Sequence, residues 1–194
     1  MAELALSASF PRASLDLSAR DELEAIGGAP PIGVNFRVVP QSQTNWCWAA
    51  VSSSVANYFS ANSWTECAVA SAEMGGPCCQ QGGSWQCNQP HYLDRALARV
   101  GRLRNVAGVV SRGVVEGELN GRRPLPIRVG WNNGAPNGGG HFLAISGSSP
   151  YGPNDTVFEV TDPIYAVSSI TGFALANGGY QQGGGRWTHS YFVG

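Results

Sequence analysis

The chain has 194 residues and a mass of 20.4 kDa, which suits one domain with a hydrophobic core of its own. It carries 12 Lys and Arg against 13 Asp and Glu, a formal net charge of −1, and only 13% of its residues are charged. Such a small charge provides no long-range attraction for nucleic acids or anionic membranes, so we expect neither as a partner. The 43% of hydrophobic residues indicate a packed globular chain, and no apolar run approaches the roughly 20 residues of a membrane helix.

Residues 1–28 are predicted to be a leader-like or flexible segment that precedes a folded domain at 29–194. Within this segment, residues 17–28 (LSARDELEAIGG) have the spacing of a short amphipathic helix that Ser18 can cap and that Gly27-Gly28 end. The basic start and apolar stretch of an ordinary secretory signal are missing. The segment resembles the double-glycine leaders that peptidase-bearing ABC transporters remove. This resemblance implies a secreted or otherwise exported protein and an export transporter that recognises residues 17–28. A helical tail capped by glycine is the alternative interpretation.

Three helices are predicted in the first part of the folded domain. The sequence WCWAAVSSSVANYF, from Trp46 to Phe59, has apolar residues at helical spacing and predicts a buried helix that begins near Cys47. A second helix is predicted from Pro90 to Arg102, with the proline suited to the first turn. A weaker pattern predicts a third helix from Val114 to Leu119.

After Pro124 the hydrophobic period changes from helical spacing to alternation, which predicts strands. The alternation includes Leu125, Ile127, Val129 and Trp131, and it returns in Phe142–Ile145 and in Val157–Thr161. Helices followed by antiparallel strands predict an α+β fold of two lobes. A cleft between the lobes is the expected place for a functional site.

Five cysteines are present, and one of them stands apart from the others. Cys67, Cys78, Cys79 and Cys87 fall within a stretch rich in Gly, Gln and Ser, and four such cysteines predict two disulfides. Three pairings are possible, of which Cys78 with Cys79 is the least favourable because adjacent residues bridge only with strain. Disulfides indicate an oxidising destination. A zinc site and reduced structural thiols are the alternatives.

Cys47 is then left as an unpaired thiol at the predicted start of a helix. A lone cysteine in an apolar segment is usually a small buried hydrophobe. At a helix N-terminus, however, the dipole and the free N–H groups favour a thiolate, the reactive species. Attack on a carbonyl also needs an imidazole, a group that orients the imidazole, and a donor for the oxyanion.

Candidates for these three parts lie elsewhere in the sequence. His141 follows Gly138-Gly139-Gly140 and opens a predicted strand that fixes its ring, whereas His91 and His189 lack this setting, and His189 is predicted to be structural. Asp162 ends the next predicted strand before a proline, where an aspartate also commonly forms a turn. Gln41 and Gln43 precede the Cys47 helix, where an amide N–H can reach the space above the thiol.

Taken together, the segments PQSQTNWCWAA, GGGHFLAISG and VTDP, in that order, resemble a papain-like cysteine protease. The resemblance is to the compact bacterial branch that includes staphopains and the cysteine-protease effectors of plant pathogens. It implies a two-lobe fold, with an N-terminal helical lobe that carries the cysteine helix and a C-terminal antiparallel β lobe that carries the histidine and the aspartate. It also implies roles for four residues: Cys47 as nucleophile, His141 as general base, Asp162 in place of the usual asparagine, and Gln41, six residues before Cys47, as the oxyanion donor.

The predicted function is therefore hydrolysis of peptide bonds through a thioacyl intermediate on Cys47, with a protein or peptide as substrate and no cofactor or metal. Three other functions are open, of which two are enzymatic and one is not. The thioacyl group can pass to an amine, as in peptide ligases, cyclases and transglutaminases. The chain can instead be a peptidase for double-glycine leaders. It can also be a non-catalytic interaction protein with an inert Cys47.

Overall fold

The computed structural model describes residues 31–61, 63–134 and 139–194, so the predictions for residues 1–28, including export-transporter recognition of residues 17–28, lie outside the described part. The described chain has an α+β fold, which confirms the predicted class. Its helices are α1 (Cys47–Phe59), α2 (Glu66–Met74), α3 (Cys78–Gln81), α4 (Leu93–Arg99), α5 (Arg112–Asn120), α6 (Trp131–Gly134) and α7 (Gly172–Ala176). Its strands are β1 (Ile32–Gly33), β2 (Leu103–Ala107), β3 (Leu125–Gly130), β4 (Gly140–Tyr151), β5 (Asp155–Asp162), β6 (Ala166–Thr171) and β7 (Arg186–Val193).

The predicted helices are present, with changed ends. The cysteine helix begins at Cys47, as predicted. The helix predicted from Pro90 begins only at Leu93 and ends at Arg99. The helix predicted from Val114 is longer, because Ser111 caps its N-terminus with a hydroxyl that accepts a hydrogen bond from the Val114 N–H at 3.4 Å.

The strands form one antiparallel sheet with the order β2-β7-β3-β4-β5-β6, and β1 pairs with β4. Strand β4 is central, and its residues from His141 to Ser148 are all buried. The expected alternation of buried and exposed residues is therefore absent from β4, since α1 and α5 both pack against this strand. Alternation also placed Trp131 on a strand, but β3 ends at Gly130 and Trp131 begins α6.

The sheet topology brings the start of β4 close to the end of β5. These strands form an antiparallel pair, with Ala144 opposite Thr161, and β5 ends at Asp162. His141, near the start of β4, therefore lies beside Asp162. Among the described residues, no helix has both the length and the apolar character needed to cross a membrane.

Candidate active site

Cys47 is the first residue of α1, and its surroundings are held by neighbouring tryptophans. The Trp46 indole N–H donates to the Cys87 carbonyl at 2.7 Å, and the Trp48 indole N–H donates to the Gln89 carbonyl at 3.0 Å. Cys47 itself is a free thiol with 9% of its surface exposed. Within the described residues, its backbone N–H has no hydrogen-bond acceptor. The first turn of α1 therefore presents a thiol together with a free N–H donor.

The other four cysteines form two disulfides, which selects one of the three pairings and replaces the zinc alternative. Cys67 pairs with Cys79, and Cys78 pairs with Cys87. The second bond anchors the segment 87–89 that accepts hydrogen bonds from the two tryptophans. The Cys78–Cys87 disulfide thus holds the wall beside Cys47.

His141 is almost fully buried and is held from several directions. Its Nε2 lies 2.8 Å from the Asp162 Oδ2, and its exposed fraction is only 4%. The indole of Trp131 stacks on the imidazole with ring centroids 6.0 Å apart and planes 16° from parallel, and the Tyr165 ring meets its edge. Since Nε2 faces the carboxylate, Nδ1 is the ring nitrogen left to serve Cys47, which lines the same cavity.

Asp162 is both a turn former and the partner of His141. Its Oδ1 accepts the backbone N–H groups of Ile164, at 2.6 Å, and Tyr165, at 2.9 Å. Its Oδ2 accepts the Tyr180 hydroxyl at 2.6 Å in addition to the His141 Nε2. Four donors therefore surround one buried carboxylate, which is the environment that keeps such a group ionised.

The proton of the pair resides on the imidazole at neutral pH. Burial lowers the pKa of His141, but hydrogen bonds to Asp162 and Cys47 and the charges of both outweigh burial and raise this pKa to about 9. Burial opposes ionisation of Asp162 as well, and the hydrogen bond and charge of His141, with the Tyr180 hydroxyl, hold the pKa of Asp162 below its ordinary value. The arrangement is thus an imidazolium and a carboxylate next to Cys47.

Gln41 does not point its amide donors at Cys47 in this structure. Its Nε2 donates to the carbonyls of Gln43, at 2.7 Å, and Thr44, at 3.0 Å, while its Oε1 is buried without a partner. Its backbone N–H donates to the Pro163 carbonyl at 3.1 Å, which ties this loop to the turn after Asp162. The Gln43 amide lies near Gly82 instead, where a Cβ would stand 3.2 Å from its Nε2. The oxyanion role of Gln41 stays a prediction.

Cys47 and His141 line one cavity of about 950 Å³. Strand residues Arg128, His189 and Tyr191 form part of its wall, and the segment around His91 forms another part. His91 binds Glu73 at 2.7 Å and packs edge-on against Trp48, whereas the ring of His189 stacks on Tyr191. His189, predicted to be structural, therefore also faces the cavity.

Trp131 and Tyr180, which contact His141 and Asp162 respectively, were not predicted from the sequence to be part of the site. The signal available for both was the glycine run Gly183-Gly184-Gly185, because two of these glycines lie against the Trp131 indole and one pairs with Tyr180. Within the described residues, no group of three or more His, Cys, Asp or Glu side chains could hold a metal. No family model matches the chain, and no curated protein matches it at a significant level of similarity.

Proposed function

We propose that this protein is a cysteine endopeptidase with a papain-like two-lobe fold, in which Cys47, His141 and Asp162 form the catalytic triad. The observation that carries the proposal is the buried His141–Asp162 pair, which faces a free cysteine at a helix N-terminus within one cavity. Nucleophile, base and orienting group are the parts that covalent acyl transfer requires.

The reaction follows from the charges of the site. The Cys47 thiolate attacks the peptide carbonyl carbon, and the carbonyl electron pair moves to the oxygen. The His141 imidazolium then gives its Nδ1 proton to the leaving amine, so the C–N bond breaks and a thioester remains. Neutral His141 next takes a proton from water, whose oxygen attacks the thioester and releases the acid and the thiolate. Throughout the cycle, Asp162 holds the Nε2 tautomer.

The oxyanion formed in each step needs donors. The free backbone N–H of Cys47 supplies one of them. The Gln41 amide supplies the second only after it gives up one of its hydrogen bonds to the carbonyls of Gln43 and Thr44. Removal of this side chain should therefore lower turnover without preventing alkylation of Cys47, because opening of an epoxide forms no tetrahedral carbonyl oxyanion.

Export to an oxidising compartment belongs to the same proposal. The pairs Cys67–Cys79 and Cys78–Cys87 suit a protein that folds where thiols are oxidised. An intact mass of secreted material that lacks residues 1–28 would support removal of a leader. A full-length extracellular form would contradict it.

The first test measures intact-protein mass after brief exposure to an epoxysuccinyl alkylator without reductant, so that paired cysteines do not react. We expect one fast adduct, which disappears in Cys47→Ala and forms slowly in His141→Ala. An adduct that is indifferent to His141 would refute the triad and favour a non-catalytic interaction protein. A peptide screen follows, and product masses with and without an added amine separate hydrolysis from acyl transfer. A double-glycine peptide in the screen tests the leader-peptidase alternative.

A further inference from the structure

The segment from Tyr180 to Gly185 contacts Asp162 and also Trp131, the residue that stacks on His141. It is closed as a small hairpin, since the Tyr180 N–H donates to the Gly185 carbonyl at 3.1 Å and the Gly185 N–H donates to the Tyr180 carbonyl at 2.8 Å. We call it the 180–185 hairpin. It lies outside every motif that suggested the catalytic residues, and nothing in the proposed chemistry requires it to touch the substrate.

One contact of the 180–185 hairpin is a hydrogen bond to the orienting carboxylate. The Tyr180 side chain is buried, with 1% of the residue exposed, and its hydroxyl donates to the Asp162 Oδ2 at 2.6 Å. The same oxygen lies 2.8 Å from the His141 Nε2. Two donors thus converge on one oxygen, while the other oxygen is held by two backbone N–H groups. The phenol therefore fixes the oxygen that orients the imidazole.

The second contact is with the tryptophan that stacks on His141. A Cβ at Gly185 would lie 2.8 Å from the Trp131 Cζ3 and 2.9 Å from the Tyr180 carbonyl oxygen, and a Cβ at Gly183 would lie 3.1 Å from the Trp131 Cε3. Only glycine lets the backbone come this close to the indole. The hairpin thus limits the movement of Trp131, which in turn limits the tilt of the imidazole.

We propose that Tyr180 is a positioning residue of this site: its hydroxyl fixes the Asp162 oxygen that orients His141, while the rest of the 180–185 hairpin braces Trp131 against the imidazole. The importance of this role for turnover rests on the proposed cysteine-protease function. The effect on the imidazole itself does not depend on that function.

The chemistry of the contact gives the direction of the effect. Burial and the charge of Asp162 raise the pKa of Tyr180, so the phenol stays a donor throughout the working range of the protein. The titratable groups that face the pair are Cys47, Tyr165 and Tyr180. Without the phenol hydroxyl, the charge of the Asp162 carboxylate is shared among fewer donors. The carboxylate then binds the imidazolium proton more tightly, so the pKa of His141 rises. It also frees the carboxylate to rotate, which misplaces the imidazole.

The test compares Tyr180→Phe with wild type and with Tyr58→Phe. Tyr58 donates its hydroxyl to the Arg122 carbonyl at 3.0 Å near the opposite end of α1, so its variant also loses one phenol hydrogen bond, but far from the site. We expect the NMR titration of the His141 ring in Tyr180→Phe to move upward by about half a pH unit. The alkaline limb of the pH–rate profile should move with it, and kcat should fall about tenfold with KM nearly unchanged. The control should match wild type in all of these measurements.

An unchanged His141 titration in folded Tyr180→Phe would overturn the positioning role, as would an equal change in Tyr58→Phe. If Tyr180→Phe does not fold, Gly185→Ala replaces it, because a Cβ at Gly185 meets both the Trp131 indole and the Tyr180 carbonyl and displaces them. The His141 titration should then move and kcat should fall, and an unaltered His141 titration in that variant would overturn the proposal. Should wild type show neither alkylation nor turnover, the proposed protease function fails. The ring titration then still decides the role of Tyr180.

Discussion

Replacement of Asp162 by asparagine tests the charge of the proposed triad while it leaves the shape of the site almost unchanged. The asparagine oxygen would accept the N–H groups of Ile164 and Tyr165, as Oδ1 does now. Its NH2 group would then face two donors, the Tyr180 hydroxyl and the His141 Nε2–H. His141 can accept from that amide only by moving its proton to Nδ1, the edge that serves Cys47. The variant therefore holds a neutral imidazole in the wrong tautomer.

The size of the effect follows from the protonation of His141. Its pKa of about 9, against an ordinary value of 6.5, corresponds to roughly 3 kcal/mol of net stabilisation of the imidazolium. Burial opposes this stabilisation, and Asp162 is the largest contributor to it. Loss of most of this stabilisation reduces the population of the thiolate–imidazolium pair. Alkylation of Cys47 at pH 6–7 should therefore slow by about 100-fold.

The assay measures the second-order alkylation rate by intact mass, together with the NMR titration of the His141 ring. Asp155→Asn is the matched control, since the Asp155 carboxylate also caps backbone N–H groups, those of Thr156 and Phe173, but touches no member of the triad. Wild-type reactivity in Asp162→Asn, together with an unchanged His141 titration, would refute the reasoning. A loss of reactivity in both variants would assign the effect to strand packing.

Three further predictions concern stability, and two of them also concern the alkylation rate. Replacing Cys78 and Cys87 together by serine should reduce the free energy of unfolding by roughly 2.6 kcal/mol, from a sequence separation of 9, and should slow alkylation because the wall beside the nucleophile loosens. Replacing Cys67 and Cys79, with a separation of 12, should destabilise by a similar amount in urea unfolding and leave the alkylation rate intact; equal rates for the two pairs would contradict this. His141 has a raised pKa in the folded state, so its contribution of up to roughly 3 kcal/mol is complete below pH 6.5 and disappears as the pH rises through about 9. Thermal melts should show this alkaline decline in wild type and lack it in His141→Gln.

The helices and strands that were predicted correctly are those in which the hydrophobic period of the sequence agrees with the observed burial. The helix at Cys47 has apolar residues on a helical period and is buried along most of its length. The pair of His141 and Asp162 could be anticipated because both stand at the ends of strands that neighbour each other in the chain. The sequence Asp162–Pro163 also indicated a turn after β5.

Other features depended on contacts that no local pattern records. Helix α2 has a weak apolar stripe, and Thr65 at its cap and a disulfide at Cys67 hold it instead. Strand β6 lies at the sheet edge and is mostly polar or exposed, so no alternation marks it. The bond from Tyr180 to Asp162 joins residues that come together only after the hairpin and the sheet have formed.

The adjacent cysteines Cys78 and Cys79 form disulfides with different parts of the chain. Cys78 pairs with Cys87 in the following loop and Cys79 pairs with Cys67 in the preceding helix, so the two covalent loops interlock. Five thiols allow fifteen arrangements of two disulfides, since each of five choices of the free cysteine leaves three pairings. Oxidation before α1 forms can produce any of these arrangements, and most of them include Cys47 in a disulfide. When the chain folds before it is oxidised, the pairs Cys67–Cys79 and Cys78–Cys87 are the ones that can form, and Cys47 keeps a free thiol.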